Sequence, residues 1–159
     1  ANNKAKSSPQ AHFSGVNVSQ LQREIVAKER TLLIVKPDAV EKSVTGKILS
    51  RIESEGFTIC ELEMTSLTRE RAEDFYGVHR DRPFFGELVE FMTSGRIVPS
   101  VLEREDAITH LRNFIGETDS NKAAPNTIRH DFGTDVQCNA VHASDSPENA
   151  LREIRFFFG

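Results

Sequence analysis

Short apolar segments alternate with amphipathic segments along most of the chain. Four segments rich in apolar residues predict strands: residues 31–35, which form a continuous apolar run, and residues 57–64, 97–102 and 136–141. Apolar residues spaced three and four positions apart predict helices between these strands and at the end of the chain: residues 45–55, 68–76, 83–94, 105–115 and 147–158. This order predicts a ferredoxin-like βαββαβ sandwich of the α+β class, in which a four-stranded antiparallel sheet is surrounded by helices.

The remaining segments are polar or short. Residues 1 to about 16 lack apolar periodicity and predict a flexible leader, and apolar spacing behind Ser19 favours a short helix before residue 28. Pro37 predicts the end of the first strand, residues 117–125 a long polar loop, and residues 127–132 a short turn. We therefore divide the chain into a leader, residues 1–28, and one folded domain, residues 29–159.

The composition excludes several classes of protein. The chain has 159 residues, of which 38% are hydrophobic and 28% charged, as is usual for one globular domain. Its net charge of −4 leaves no basic excess for general nucleic-acid binding. No apolar run is long enough to span a membrane, and Cys60 and Cys138 lack metal-ligand spacing. We expect a soluble, cytoplasmic protein with two free thiols and no membrane partner.

His142 is the strongest candidate for a reactive side chain. It follows an apolar segment and closely precedes Ser144, Asp145 and Ser146, which suit the first turn of a helix. Neutral imidazole can take up a phosphoryl group covalently, and the N-terminus of a helix favours anions. A lone histidine is more often a surface or core residue. The hypothesis of a phosphohistidine therefore depends on what surrounds His142.

The last predicted helix offers His142 a partner. Its apolar stripe marks the side expected to face the sheet: Ala150, Leu151, Ile154, Phe157 and Phe158. Arg152 and Arg155 fall on the opposite side, and Glu153 falls at the border of the stripe. A half-buried carboxylate there could bond the imidazole and fix its tautomer. The alternative is an ordinary glutamate at the edge of an amphipathic helix.

Three basic residues could together hold a triphosphate. Lys36 follows the first strand, Arg112 lies late in a predicted helix, and Arg129 lies in a predicted turn. Arginine grips phosphate through two donors and lysine supplies a point charge, although each alone could be a solvated surface charge. GxxxxGK[ST] and GxGxxG are both absent, since Thr45-Gly46-Lys47 lacks the upstream glycine. Any nucleotide would therefore be held by side chains and a metal.

From about residue 29 to residue 159 the chain resembles a nucleoside diphosphate kinase. Five motifs in matching order and spacing carry the resemblance: Thr31 to Ala39, Tyr76 with Asp81-Arg82-Pro83-Phe84-Phe85, Gly116-Glu117-Thr118, Thr127-Ile128-Arg129, and the segment around His142. The resemblance implies an enzyme that transfers the γ-phosphoryl group of a nucleoside triphosphate to a histidine and then to a nucleoside diphosphate. It also implies ping-pong kinetics, Mg²⁺ as cofactor and a homo-oligomer, a tetramer or hexamer built from dimers.

The resemblance further implies roles for individual residues. His142 takes the place of the phosphorylated nucleophile, Glu153 that of its orienting carboxylate, and Ser144 lies beside the nucleophile. Asp145 matches an acid that reaches Mg²⁺ through water. The catalytic set also includes Lys36. The implied nucleotide-binding residues are Lys36, Tyr76, Phe84, Arg112, Thr118, Arg129, Val136 and Asn139.

The base-binding residues imply broad specificity. Phe84 matches the aromatic residue on which the base stacks, and Val136 the apolar residue on its other face. Because every base has a π-face, such a pair accepts all bases. Ala143 and Arg104 stand where glycine is usual or common in the family. If residue 143 needs a positive φ, alanine costs about 1 kcal/mol there.

Two other functions remain open from the sequence. One is a regulatory or scaffold protein that binds nucleotide with weak or no turnover. The other is a ferredoxin-like ligand-binding module without chemistry, which the fold alone would allow. Turnover of labelled phosphate discriminates the enzyme from the first alternative, and stabilisation by nucleotide discriminates the first from the second.

Overall fold

The computed structural model describes residue 17 and residues 28–159, so the predicted leader helix lies outside the described residues. Within them are four strands: β1 (Glu29–Val35), β2 (Thr58–Leu62), β3 (Val98–Arg104) and β4 (Val141–Ala143). The same residues form seven α-helices: α1 (Pro37–Glu41), α2 (Thr45–Ser54), α3 (Arg69–Phe75), α4 (Phe85–Met92), α5 (Ala107–Ile115), α6 (Ile128–Phe132) and α7 (Pro147–Phe158). A single 3₁₀ turn, Gly77–His79, joins α3 to the segment before α4.

The four strands form one antiparallel sheet in the order β2-β3-β1-β4. Leu32 of β1 pairs with Val101 of β3, and Ile34 pairs with His142 of β4. This sheet and its surrounding helices confirm the predicted ferredoxin-like α+β fold. Since β1 and β4 run in opposite directions, the residues that follow β1 lie beside the residues that precede β4. Lys36 and Asn139 meet there, joined by a hydrogen bond of 2.8 Å.

Both faces of β1 are buried, which explains its continuous apolar sequence. Leu33 and Val35 belong to a core formed with α2, α5 and α6, and Leu32 and Ile34 belong to a second core formed with α3, α4 and α7. All four side chains are fully buried. The strand that precedes Lys36 is therefore held firmly from both sides.

Helix boundaries follow local chemistry that the sequence contains. Thr68 caps α3 by accepting the backbone N–H of Arg71 at 3.2 Å. Gly116 ends α5 with φ of 88°, a value that favours glycine. Ser146 caps α7 by accepting the N–H of Asn149 at 3.2 Å, and Pro147 occupies the first helical position. These boundaries agree with the predicted ones.

The fourth strand was predicted wrongly. It spans Val141–Ala143 instead of residues 136–141. The Asp135 carboxylate accepts the backbone N–H groups two and three positions ahead, at 2.9 and 2.7 Å, which holds that segment in a turn. Ala140 has φ of 71°, which no strand residue adopts. His142 therefore lies within the strand rather than behind it.

Two short helices replace segments predicted without helix. Pro37 ends β1 as predicted, but it also starts α1, because its fixed φ suits the first helical position. The predicted turn at residues 127–132 contains α6, whose first residues are capped by the Thr127 hydroxyl. Each helix has five residues. Periodicity cannot reveal a helix that short.

Two predictions about the whole chain can be compared with the described residues. Among them, no helix combines the length and apolar character needed to cross a membrane. Cys60 and Cys138 are both free thiols, as predicted. Burial raises the pKa of the Cys138 thiol, so it stays protonated near neutral pH.

Candidate active site

His142 lies in the middle of β4 with its side chain 25% exposed. Its Nε2 is hydrogen-bonded to Oε1 of Glu153. Because a carboxylate only accepts, this bond assigns the ring proton to Nε2 and leaves a lone pair on Nδ1. Among residues 28–159, Nδ1 has no hydrogen-bond partner. The imidazole lines two adjacent cavities.

Glu153 is more deeply buried than predicted. It is 3% exposed, and its Oε1 also accepts a bond from the Ser144 hydroxyl at 3.4 Å. Leu151, predicted to lie in the apolar stripe, is 51% exposed. The rotation of α7 therefore turns Glu153 towards His142 at the expense of Leu151. The hydrogen bonds of the carboxylate explain why a charged side chain can occupy the buried side of the helix.

Aromatic side chains hold the other sides of the imidazole. The rings of Phe75 and Tyr76 contact that of His142 edge-on, with centroids 5.5 and 6.3 Å away. Arg152, predicted on the solvent side of α7, instead donates to the Phe75 carbonyl at 3.2 Å and lies over its ring. Burial raises the pKa of the Tyr76 hydroxyl, so it remains a hydrogen-bond donor.

Lys36 is a buried cation at the end of β1, with 6% exposure. Its Nζ donates to Oδ1 of Asn139 and to the carbonyl of Gln137, both at 2.8 Å, and lies 5.0 Å from the centre of the Phe91 ring. Burial, more than the nearby Arg129 charge, lowers its pKa from 10.5 to about 8. The ammonium is therefore fixed in position and poorly solvated.

Arg129 and Arg112 supply two further positive charges. Arg129 is 7% exposed and donates to the carbonyls of Gly116 at 3.1 Å and Val141 at 3.0 Å. Burial and the charge of Arg112 lower its pKa from 12.5 to about 10. Arg112 is exposed and donates to the Ala143 carbonyl at 3.4 Å. Of these two arginines, Arg112 is the less constrained.

The larger cavity has a volume of about 530 Å³ and is lined by both apolar and polar residues. Phe84 and Val136 line its open side and are 47% and 60% exposed. Asn139 lies on the inner side and donates to the carbonyls of Thr118 at 2.9 Å and Val136 at 3.2 Å. Eight of the predicted residues line this cavity: Lys36, Tyr76, Phe84, Thr118, Arg129, Val136, Asn139 and His142.

The second cavity, about 390 Å³, is also lined by His142. It is the more polar of the two and brings together six predicted residues: Tyr76, Arg112, Arg129, His142, Asp145 and Glu153. Ser144 lines neither cavity, since it is buried behind the carboxylate that it contacts. A hydrogen bond from Asn149, at 2.6 Å, holds the pKa of the exposed Asp145 carboxyl below its usual range.

Several residues of the site escaped the sequence analysis. Phe75 and His79 line the cavities, and the His79 ring lies tilted against that of Phe84, with centroids 5.6 Å apart. Phe75 could have been noticed as the last apolar residue of α3, but nothing in its spacing indicates contact with an imidazole. Ala143 needs no positive φ, since it pairs with Leu33 in the sheet. The expected cost of alanine at that position does not arise.

These contacts define a class of site. A histidine with one nitrogen held by a buried carboxylate and the other free lies among lysine and arginine side chains. Such a nitrogen can attack phosphorus, and such cations can hold the oxygens of a polyphosphate. The arrangement suits the transfer of phosphoryl groups.

Comparisons with known proteins give the family. The sequence matches the family described as nucleoside diphosphate kinase over residues 29–159. A nucleoside diphosphate kinase of Aquifex aeolicus is 60% identical over 136 residues, covering 84% of this chain and 96% of that protein. One of Thiobacillus denitrificans is 53% identical over 133 residues, covering 84% and 94%. The chain therefore belongs to the nucleoside diphosphate kinase family.

Solved structures agree with this assignment. A crystal structure of the Aquifex aeolicus nucleoside diphosphate kinase superposes with a TM-score of 0.82 at 60% identity and covers 84% of this chain and 96% of that chain. The Halobacterium salinarum nucleoside diphosphate kinase in complex with CDP gives 0.80 at 40% identity, covering 83% and 88%. The comparisons confirm the predicted family and enzyme class, with phosphoryl transfer between nucleotides as the function.

Proposed function

We propose that His142 carries the phosphoryl group which this enzyme transfers between nucleotides. One observation carries the proposal: Nε2 is bonded to a buried carboxylate while Nδ1 has no partner among residues 28–159, and the imidazole lines both cavities. The lone pair of Nδ1 is thus held in a fixed direction before a nucleotide binds. Fixing a nucleophile in this way removes much of the entropy that the reaction would otherwise lose.

The proposed reaction has two halves. In the first, a bond forms between Nδ1 of His142 and the γ-phosphorus, and the bond from that phosphorus to the bridging oxygen breaks. The nucleoside diphosphate leaves with the electron pair, and Glu153 offsets the positive charge that develops on the imidazole ring. In the second, a terminal oxygen of another nucleoside diphosphate attacks phosphorus, and the nitrogen recovers its electron pair. The shared phosphoenzyme gives ping-pong kinetics.

Cations carry most of the proposed stabilisation. The transition state of phosphoryl transfer spreads charge over the phosphoryl oxygens, so positioning and neutralisation dominate catalysis. Lys36 and Arg129 are already fixed by hydrogen bonds to backbone carbonyls, and Arg112 is exposed. Lys36 and Arg129 thus need no rearrangement when the nucleotide binds, while Arg112 can follow the phosphoryl group during its transfer.

The two cavities suggest how a nucleotide lies. The base enters the larger cavity between Phe84 and Val136, the sugar lies near Thr118 and Asn139, and the phosphates extend towards His142. The relative solved with CDP supports nucleotide binding by this fold. Stacking on an aromatic ring accepts every base, so the proposal includes broad base specificity.

Mg²⁺ is the proposed cofactor, and the residues present fit it. This ion is usually held by one or two carboxylates together with substrate phosphates. Asp145 offers one exposed carboxylate in the second cavity, and residues 28–159 contain no cluster of three metal-ligating side chains. The ion would therefore arrive with the nucleotide, with Asp145 reaching it through water. When bound, it would neutralise charge on the phosphate oxygens.

We also infer a homo-oligomer, a tetramer or hexamer built from dimers, that works in the cytoplasm. Leu62 and Met64 support the association: they are about half exposed at or just after the edge strand β2, where an apolar surface invites pairing. The free thiols suit a reducing compartment. Light scattering of the purified protein measures the mass of the assembly and discriminates tetramer from hexamer.

The test of the carrier uses γ-labelled ATP with Mg²⁺, followed by unlabelled GDP. We expect acid-labile label on the protein that then moves to GTP. His142→Gln should abolish the label while nucleotide still raises the melting temperature, because binding stabilises the native state. His110→Gln, on α5 and outside both cavities, is the control. Labelling of His142→Gln would show that another residue is the carrier, and label that never leaves would favour a nucleotide-dependent switch.

A further inference from the structure

The residues immediately before His142 adopt a strained turn. The N–H of Val141 donates to the carbonyl of Asn139 at 2.9 Å, and Ala140 between them has φ of 71°. This is a γ-turn of the rare type in which the central residue has positive φ. Backbone of this kind is disfavoured for alanine and persists only where the surroundings hold it. Ala140 is fully buried, so the contacts that hold its backbone in this conformation come from the protein and not from solvent.

Asp38 holds the turn from the neighbouring segment. Its Oδ2 accepts the N–H of Ala140 at 3.0 Å, and the N–H of Lys36 donates to the Ala140 carbonyl at 2.9 Å. Asp38 is 8% exposed, and its Oδ1 is buried without a partner among residues 28–159. A buried carboxylate with only one bonded oxygen is costly, and neither strand pairing nor helix capping accounts for it.

We propose that Asp38 is a positioning residue for phosphoryl transfer, acting through the turn formed by residues 139–141. This inference rests on the proposed role of His142. The turn joins Asn139, which bonds the Lys36 ammonium at 2.8 Å, to the strand that carries the imidazole. Relaxation of Ala140 to a negative φ would reorient both neighbours. Asp38 therefore fixes the direction of the nucleophile relative to the cations without touching the substrate.

Asp38 also acts on Lys36 through its charge, and this effect has to be distinguished from its hydrogen bond to the turn. The Asp38 charge raises the pKa of Lys36, as do the charges of Cys138 and Asp135, while burial and Arg129 lower it. Asp38→Ala removes both the charge and the acceptor of the Ala140 N–H. Asp38→Asn removes the charge but keeps a carbonyl oxygen that can accept the same N–H. The two variants differ only if the hydrogen bond matters.

The experiment measures the rate at which γ-labelled ATP labels the protein in a single turnover. We expect Asp38→Ala to slow labelling between about tenfold and a hundredfold, because a small misplacement of a reacting group has that effect. Asp38→Asn should lose less. Adding Ala140→Gly to Asp38→Ala should restore much of the rate, because glycine adopts positive φ readily. Melting temperatures of all variants show whether rate follows stability.

A matched control relieves strain elsewhere. Ser43 is an exposed residue with φ of 60° in the turn between α1 and α2, so Ser43→Gly changes the same backbone property outside the site. Adding it to Asp38→Ala should not restore labelling. If Asp38→Ala fails to fold, Asp38→Ser, which shortens the acceptor, takes its place in the same set.

Four results would overturn the inference. Labelling of Asp38→Ala within about twofold of the native rate would show that the turn needs no support. Rescue by Ala140→Gly that is no greater than rescue by Ser43→Gly would indicate general stability. Asp38→Asn as slow as Asp38→Ala would indicate the charge on Lys36 instead. A native protein that takes no label would remove the proposed carrier, and this inference with it, whereas the first three leave the carrier intact.

Discussion

The polar and apolar walls of the nucleotide cavity are built in opposite ways. Lys36, Arg129 and Asn139 are 6, 7 and 3% exposed and are fixed by hydrogen bonds to other parts of the fold. Phe84 and Val136 are 47% and 60% exposed and present apolar surface to the open side. The wall that would face charge is fixed in advance. The wall that would face a base offers contact without hydrogen-bond selection.

Burial strengthens the polar wall and restricts it. A low local dielectric increases the attraction between a cation and phosphate, since Coulomb energy varies inversely with the dielectric constant. The same burial opposes the charged form and lowers the pKa of Lys36 to about 8 and that of Arg129 to about 10. The polar wall should therefore dominate the rate and its pH dependence, and the apolar wall should affect binding only.

Replacing the buried lysine should have the largest effect. Lys36→Met keeps the length of the side chain and removes its charge, which should raise the activation free energy by about 2 to 4 kcal/mol. At the upper end of that range, kcat falls by a hundredfold or more. Steady-state kinetics with ATP and GDP measures this loss, and thermal melting shows whether the fold survives.

The exposed Lys42 provides the matched control. Its Nζ bonds the Phe132 carbonyl at 3.2 Å and the Thr134 hydroxyl at 2.8 Å, and it lines neither cavity. Lys42→Met should leave kcat within about twofold, as for most surface changes. If Lys36→Met lost less than tenfold in kcat, the polar wall would not dominate catalysis.

The sequence predicted the elements that rest on local rules. The apolar run of β1 identified a strand buried on both faces, and the Ser146-Pro147 start located α7 correctly. It could not predict β4, because the turn at Ala140 depends on a carboxylate 102 positions away in the chain. A contact of that kind leaves no trace in periodicity.

The structure brings the candidate residues together, but the sequence did not predict their geometry. Its residues were found through motifs that the family shares, and the predicted residues other than Ser144 line the two cavities. Their burial was not foreseen: Lys36 and Arg129 resemble surface charges in the sequence but are almost inaccessible. The rotation of α7 was misjudged because hydrogen bonds to Glu153 outweigh the exposure of Leu151. Such compensation depends on three-dimensional contacts.

The pH dependence of the free enzyme should reveal the buried cation. Burial lowers the pKa of Lys36 to about 8, so its charged form prevails below pH 8 and is lost as pH rises through that value. We expect kcat/KM to fall roughly tenfold for each pH unit above 8. Adenine nucleotides are suitable substrates, because the base loses no proton in this range.

The corresponding profile of kcat sharpens the result. Phosphate oxygens beside Lys36 favour the charged form, so the fall in kcat should begin at higher pH than the fall in kcat/KM. A profile of kcat/KM that stays level to pH 9.5 would mean that Lys36 remains charged despite its burial. The Lys36 ammonium would then be better solvated than the 6% exposure of this residue indicates.

The apolar wall should give the smallest effect. Val136→Ala removes two methyl groups that a stacked base would cover on one side only, so the loss is about 1 kcal/mol, less than the roughly 1.6 kcal/mol that full burial of two carbons would give. Because the base takes no part in the chemistry, ground and transition states lose this contact equally, so KM should rise about fivefold while kcat stays level. Initial rates with ATP, GTP and CTP as donors measure both constants, with the exposed Leu151→Ala as control.

An equal rise in KM for all three donors agrees with a contact that does not select among the bases. A rise in KM confined to one base would mean that the apolar wall discriminates among bases. The contrast between a fixed polar wall and an apolar wall that accepts every base would then not hold.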